Sequence, residues 1–253
     1  MDPAGRHALV TGGGRGIGAA VARALTEADA TVTIAGRGEP ALRDAVTKGT
    51  AKFWTSMDIT DAASVAAGLH RAEAAAGPVT ILVNNAGAVE TAPFARLARE
   101  MWDRMLAVNL TSVFTVTQAA LPAMLAAGWG RVVNIASTAG LAGYPYVAAY
   151  VAAKHGVVGL TRALALETAR SGITINAVCP GYTDTELLQA SMAQIVTKTG
   201  RDAASVRENF TRGNPQGRLV TPEEVAAAVL FLCGPNSAAM TGQSIPVAGG
   251  EVT

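Results

Sequence analysis

Tyr150 and Lys154 stand four residues apart in Tyr150-Val151-Ala152-Ala153-Lys154, a stretch that reads as helix, so their side chains share one face and act on one small volume. A phenol ordinarily ionises near ~10, and bringing it to about 7 takes on the order of 4 kcal/mol. A cation at ~4 Å in an effective dielectric of about 20 supplies roughly that amount. Tyr150 is thus placed to give or take a proton and Lys154 to make the exchange feasible. Ser137 follows the strand ending at Ile135, and open α/β sheets bind ligands beyond the carboxyl ends of their strands. A ketone receiving hydride gathers negative charge on its oxygen and needs such a proton donor and such a fixed hydrogen bond. Tyr144 and Tyr146 lack a lysine four residues on and read as pocket or surface residues.

A second constellation sits at the other end of the chain. Directly after the first apolar run comes Thr11-Gly12-Gly13-Gly14-Arg15-Gly16-Ile17-Gly18, and a helical stretch over 19–28 follows. Glycines serve where a backbone turns sharply against a pyrophosphate, and the helix start offers it unpaired N–H groups and partial positive charge. Placed between strand and helix, the string predicts dinucleotide binding. The second strand runs into Gly36-Arg37, so a cation stands where an acidic residue would hold a ribose 2′-hydroxyl. Arg37, with Arg15 in the loop, fits a 2′-phosphate and hence NADP(H); Glu39 is near enough to reach a ribose and keeps NAD(H) open.

These groups need a frame. Short β-rich runs at 7–11, 31–36, 51–57, 81–84, 131–135 and 174–179 alternate with helical stretches from Gly16, near Ala41, after Asp61, over 99–127 with a break near Asn109, and over 150–170. The rhythm predicts an α/β fold: a single doubly wound Rossmann-type domain over 1–253, with a mostly parallel sheet and helices on both faces. Thr221-Pro222-Glu223-Glu224 caps a further helix, and a seventh strand at 244–247 closes the sheet. The segment 184–218 is more polar and less periodic, as a lid over a substrate would be.

Lys+Arg number 20 against Asp+Glu 19, which speaks against a nucleic-acid partner. The first residues resemble neither a signal nor a transit peptide, and an apolar stretch such as 226–233 is far below the roughly 18 residues of a membrane span. A cytoplasmic protein with no membrane partner is expected. Cys179 and Cys233 lie in apolar segments without metal-ligand spacing, so they read as reduced core thiols and no metal site is expected.

Taken together, the glycine string, Asn84-Asn85-Ala86-Gly87, Asn109, Ser137, Tyr150-x-x-x-Lys154 and Pro180-Gly181-Tyr182-Thr183-Asp184-Thr185 resemble the short-chain dehydrogenase/reductase family over essentially the whole chain. The resemblance implies a catalytic set of Asn109, Ser137, Tyr150 and Lys154, with Asn109 passing the proton onward through water and Lys154 also binding the nicotinamide ribose. For the cofactor it implies Gly12, Arg15, Gly16, Ile17 and Gly18 at the pyrophosphate, Asp58 and Ile59 at the adenine, and Asn85, Ala86 and Gly87 along one flank. It further implies Pro180, Gly181, Thr183 and Thr185 at the nicotinamide end.

Lys154-His155-Gly156-Val157-Val158-Gly159 and Asn214-Pro215-Gln216-Gly217-Arg218 are most similar to β-ketoacyl reductases and aromatic polyketide ketoreductases. Ala248 stands where many relatives carry Asp. The expected activity is NADPH-dependent reduction of a 3-oxoacyl or related ketone, with Tyr150 as general acid/base. An NAD-dependent dehydrogenase of a secondary alcohol is the alternative, and a non-catalytic dinucleotide-binding protein a remoter one. The partner is a small carbonyl or alcohol substrate, chosen by the loop after Ser137, by 88–93 and by 184–218. Apolar residues around most of the helix over 150–170 predict burial on more than one side, and the resemblance implies a homotetramer.

Overall fold

The structure, a computed structural model, describes residues 3–252 apart from the side chain of residue 198; Met1 and Asp2, part of the leader reading, lie outside the described residues. The first half alternates strand and helix as β1 (His7–Thr11), α1 (Gly16–Glu27), β2 (Thr31–Gly36), α2 (Glu39–Thr47), β3 (Phe53–Ser56), α3 (Ala62–Ala76) and β4 (Val79–Asn84). There follow α4 (Arg99–Leu106), α5 (Ser112–Ala127), β5 (Gly130–Ile135), α6 (Ala148–Thr168), β6 (Ile173–Pro180), α7 (Glu186–Thr199), α8 (Ala203–Thr211), α9 (Pro222–Cys233) and β7 (Ser244–Val247). The seven strands lie in the order β3-β2-β1-β4-β5-β6-β7, and every pairing is parallel. The order reverses between β1 and β4, which opens a crevice beyond their carboxyl ends.

Strand residues alternate between two apolar layers. Val10, Ile34, Ile81, Val83 and Val133 pack against Val21 and Leu25 of α1 and Val229 and Leu232 of α9. Leu9, Leu82, Val132 and Ile175 face the other way, onto Leu69 of α3, Val116 and Met124 of α5 and Ala165 of α6. Both faces are covered, so β4, β5 and β6 are buried along their whole lengths. Each large aliphatic side chain so buried contributes roughly 1.5–3 kcal/mol. A polar seam crosses this core. Asn84 donates to Thr117 Oγ1 and to Asn134 Oδ1, each at 2.9 Å, and Asn134 donates to Thr161 Oγ1 at 2.9 Å. It ties β4, β5, α5 and α6 into one register, with its buried polar atoms paired.

The expected break near Asn109 is a winding change instead. Residues Ala107–Thr111 form a π turn, where the Ser112 N–H reaches the Ala107 carbonyl, so α4 and α5 form one run over Arg99–Ala127. That run has the length and hydropathy of a membrane span, yet Val113, Val116, Ala120 and Met124 are packed in the core. The weakly periodic segment 184–218 holds two helices because their apolar faces serve only a small separate cluster around Met192, Val206 and Leu219. Side chains of Thr185 and Asp202 cap α7 and α8, and α9 opens with the expected capping box of Thr221 and Glu224.

Candidate active site

The turn after β1 is built for backbone approach. Gly12 and Gly16 adopt φ of +66° and +55°, the left-handed region that suits glycine. A Cβ on Gly18 would lie 2.3 Å from the Gly12 carbonyl oxygen, and one on Gly13 2.4 Å from Ile34. The hydroxyl of Thr11 accepts the N–H groups of Asn85 (3.0 Å) and Ala86 (3.1 Å), and Asn85 Nδ2 donates to the Thr11 carbonyl at 2.9 Å. Thr11 thereby fixes the glycine turn to the end of β4, a role its sequence gives no sign of. Helix α1 begins at this turn with no side chain capping its N-terminus and no acid in its first turn, which leaves its positive end for a ligand anion. Gly12, Gly16, Ile17 and Gly18 thus form a cradle that fits a pyrophosphate.

Arg15 and Arg37 are both exposed near this cradle. Glu39 sits in the first turn of α2 and pairs with Arg43 at 3.6 Å, on its own helix. Asp58 accepts hydrogen bonds from the N–H and hydroxyl of Thr60, which with the Arg37 charge hold its carboxyl below the usual range. Ile59 packs beside the layer of Leu9 and Leu82. Thr185 brings the lid base to the cradle: a Cβ on Gly16 would lie 3.3 Å from its methyl group. Thr183 is buried and donates to the Gly181 carbonyl, and Pro180 pairs with Val247 of β7.

At the end of β5 the structure brings Ser137, Tyr150 and Lys154 together. Ser137 is half-buried, and its Oγ accepts the Ala139 N–H at 3.1 Å. Burial pushes the Tyr150 phenol up, and the Ser137 hydroxyl beside it works the other way. Lys154 is buried, with Nζ 5.6 Å from the centre of the Tyr150 ring and donating to the Ile135 carbonyl at 2.8 Å. Burial lowers its pKa to about 8. Desolvation at this depth is what the charges of Lys154 and of an oxidised nicotinamide ring have to offset for Tyr150 to ionise.

Asn109 sits fully buried in the π turn. Its Oδ1 accepts the Ala88 N–H at 3.2 Å, and Nδ2 donates to the carbonyls of Ala88 (2.8 Å) and Met105 (3.1 Å). Both amide protons are engaged, and the side chain clamps the turn after β4. A Cβ on Gly87 would lie 2.8 Å from Asn109 Oδ1 and 3.9 Å from Lys154 Nζ, so these groups converge on one glycine. The described residues contain no cluster of His, Cys, Asp and Glu able to hold a metal. Cys179 and Cys233 are buried, and desolvation raises their thiols to about 11 and about 12.

A glycine cradle at the sheet's switch point and a Ser-Tyr-Lys group two strands away describe a hydride-transfer fold, and residues 6–195 match the model of the short chain dehydrogenases. The chain belongs to the short chain dehydrogenase family. Among curated members of this family, it is 38% identical over 252 residues to a D-beta-hydroxybutyrate dehydrogenase of Rhizobium meliloti (strain 1021), covering 97% of this chain and 98% of that one. An acetoacetyl-CoA reductase of the same organism is 40% identical, with 97% and 98% covered. Among solved dehydrogenase structures, a single-substitution variant of actinorhodin polyketide ketoreductase with NADPH superposes with a TM-score of 0.92 at 41% identity, covering 97% of each chain.

Tyr144, Tyr182 and Tyr146 add contacts that the sequence does not foretell. Tyr144 donates to Glu251 Oε1 at 2.5 Å, and burial with that carboxylate raises its phenol to about 12. Tyr182 meets Phe210 of α8 edge to face, with centroids 5.0 Å apart, joining the end of β6 to the lid. The loops after β4 and β5 are stitched together by the Ala92 N–H on the Tyr146 carbonyl at 2.8 Å. Tyr146 holds a left-handed φ of 67° there.

Proposed function

We propose that this dehydrogenase reduces the keto group of a 3-oxoacyl or related compound to a secondary alcohol, with NADPH as hydride donor and Tyr150 as general acid. The observation that carries the reading is the convergence of Ser137, Tyr150 and Lys154 on the end of β5, beside a cradle fitted to a dinucleotide. Ser137 and Tyr150 hold the substrate oxygen, and Tyr150 delivers its proton as negative charge develops there. A neutral phenol is the form needed for this direction, and burial keeps it so. Lys154 holds the nicotinamide ribose and stabilises the phenolate left behind, while Asn109 fixes the backbone around Gly87. The bound nicotinamide supplies hydride and, once oxidised, a positive ring.

Gly12, Arg15, Gly16, Ile17 and Gly18 hold the pyrophosphate end, Asp58 and Ile59 the adenine, Asn85, Ala86 and Gly87 one flank, and Pro180, Gly181, Thr183 and Thr185 the nicotinamide end. Arg37 at the end of β2 supports NADPH, since Glu39 is paired with Arg43, and the similar ketoreductase was solved with NADPH. An NAD-linked alcohol dehydrogenase is the second reading, favoured by the similar hydroxybutyrate enzyme. The test is the initial rate of NADPH and NADH oxidation with a β-keto ester. NADPH preference, a loss of about 10³-fold in Tyr150→Phe and a fall of the preference by roughly 10–100-fold in Arg37→Ala are expected. NADH preference in the wild type promotes the second reading, and an active Tyr150→Phe removes the assigned acid.

A cytoplasmic homotetramer completes the proposal. Its support is the apolar surface on adjacent helices: Phe114 is 47% exposed on α5 and Leu166 81% exposed on α6. Light scattering is expected to show four copies for the wild type and smaller species for Leu166→Glu, whereas a wild-type monomer would end this part of the reading.

A further inference from the structure

Glu251, near the C-terminus, is held at the junction of the three segments that border the substrate side. It accepts the Tyr144 hydroxyl at 2.5 Å, and Tyr144 lies on the loop between Ser137 and Tyr150. The Tyr144 hydroxyl also meets that of Thr138, the neighbour of Ser137. A Cβ on Gly181, just after β6, would lie 2.6 Å from Glu251 Oε2, and one on Gly213, at the foot of the lid, 3.4 Å from Oε1. Burial, with the Glu251 charge, raises the phenols of both Tyr144 and Tyr182, which stand on the segments after β5 and β6. No lysine or arginine among the described residues forms an ion pair with Glu251. Lys154, the cation at the floor, is engaged by the Ile135 carbonyl.

We infer that the Glu251 carboxylate, tethered by Tyr144, is a specificity determinant that rejects 3-oxo acids bearing a free carboxylate and admits their neutral esters and thioesters. The inference rests on the carbonyl-reductase reading and separates the two kinds of relative. A hydroxybutyrate is an anion with its charge two bonds from the reacting carbon; an acyl-CoA carries a neutral thioester at that place. Placed about 8 Å apart in a half-buried cleft, two like charges at an effective dielectric of about 20, after screening, cost roughly tenfold in binding.

The experiment compares acetoacetate with methyl acetoacetate, which share the ketone and differ in charge, using NADPH and the full chain. The ester is expected to have kcat/KM at least tenfold above the acid. Glu251→Gln is expected to raise the acid-to-ester ratio at least fivefold, chiefly through KM of the acid. In the wild type, raising NaCl from 20 mM to 500 mM should lift the same ratio by threefold or more, a readout that needs no variant to fold. Equal use of both substrates by the wild type, or a ratio that stays within twofold in Glu251→Gln and across the salt series, overturns the inference while leaving carbonyl reduction standing. Failure to reduce either substrate with NADPH or NADH strikes the underlying 3-oxoacyl reading and the inference with it.

Discussion

The two halves of the sheet's carboxyl edge solve recognition in opposite ways. Over β1, β2 and β4 the site is backbone: glycines so close to one another and to Asn85 that an added methyl group has no place. Over β5 and β6 it is side chains, with Ser137, Tyr144 and Tyr150 on the segment after β5 and Glu251 tied to it through Tyr144. A pyrophosphate is the same in every dinucleotide, so its half can be rigid and built from atoms common to all residues. Substrates differ, so their half draws on groups that a single codon can change.

This contrast can be broken most severely at Gly18. Gly18→Ala places a methyl group 2.3 Å from the Gly12 carbonyl oxygen, and overpacking of this kind costs about 1–3 kcal/mol. Dinucleotide affinity by fluorescence titration is expected to fall at least 100-fold, and near-wild-type binding would mean the cradle is looser than its geometry implies. Lys154→Met tests the group between the halves. The buried ammonium has its pKa lowered from 10.5 to about 8, so the unfolded chain binds the extra proton between those values. The contribution of Lys154 to stability therefore grows from about pH 8 toward 10, against the loss that the raised thiols of Cys179 and Cys233 bring above about pH 9. The variant keeps only that loss, so its stability should fall more than the wild type's between pH 7 and 9.5 in urea melts. It should also be as stable as the wild type or more so at pH 7, by up to about 3 kcal/mol, while kcat falls by about 10³-fold. A variant that is less stable at pH 7 and keeps the wild type's pH profile would remove Lys154 as the cause. The smallest effect is expected at Gly143 on the substrate side, where an added Cβ meets nothing within 4 Å. Gly143→Ala should change kcat/KM by less than threefold, and a loss rivalling that of Gly18→Ala would erase the distinction between the halves.

The same contrast governs what can be read from the sequence. The parallel sheet follows from the alternation of apolar runs and helices, and the cradle from glycines consecutive in the chain, whereas the order of the strands is recorded in no local pattern. Tyr150 and Lys154 declare themselves because one helical turn separates them. Glu251 does not, since its partner Tyr144 is 107 residues away and no local pattern records the meeting. Thr11 is equally silent, being one β-residue among several until the turn after β4 folds onto it. The desolvation of Tyr150 is equally hidden, because charge proximity is legible in spacing whereas depth of burial is not. The two helices of the lid stay hidden for a related reason: they serve a cluster with only three buried side chains, too small to impose a long apolar period.

The π turn at Ala107–Thr111 sets the rotation between the two halves of one helical run. One additional residue is wound into a helix that otherwise runs straight through, and each residue of a helix turns the chain by about 100°. Deleting a single residue there would restore regular hydrogen bonding, yet it would rotate Arg99–Leu106 against Ser112–Ala127 and swing Asn109 away from Ala88. One residue in that helix thus sets the direction in which Asn109 faces, at some expense to the regular hydrogen bonding of the helix that hosts it.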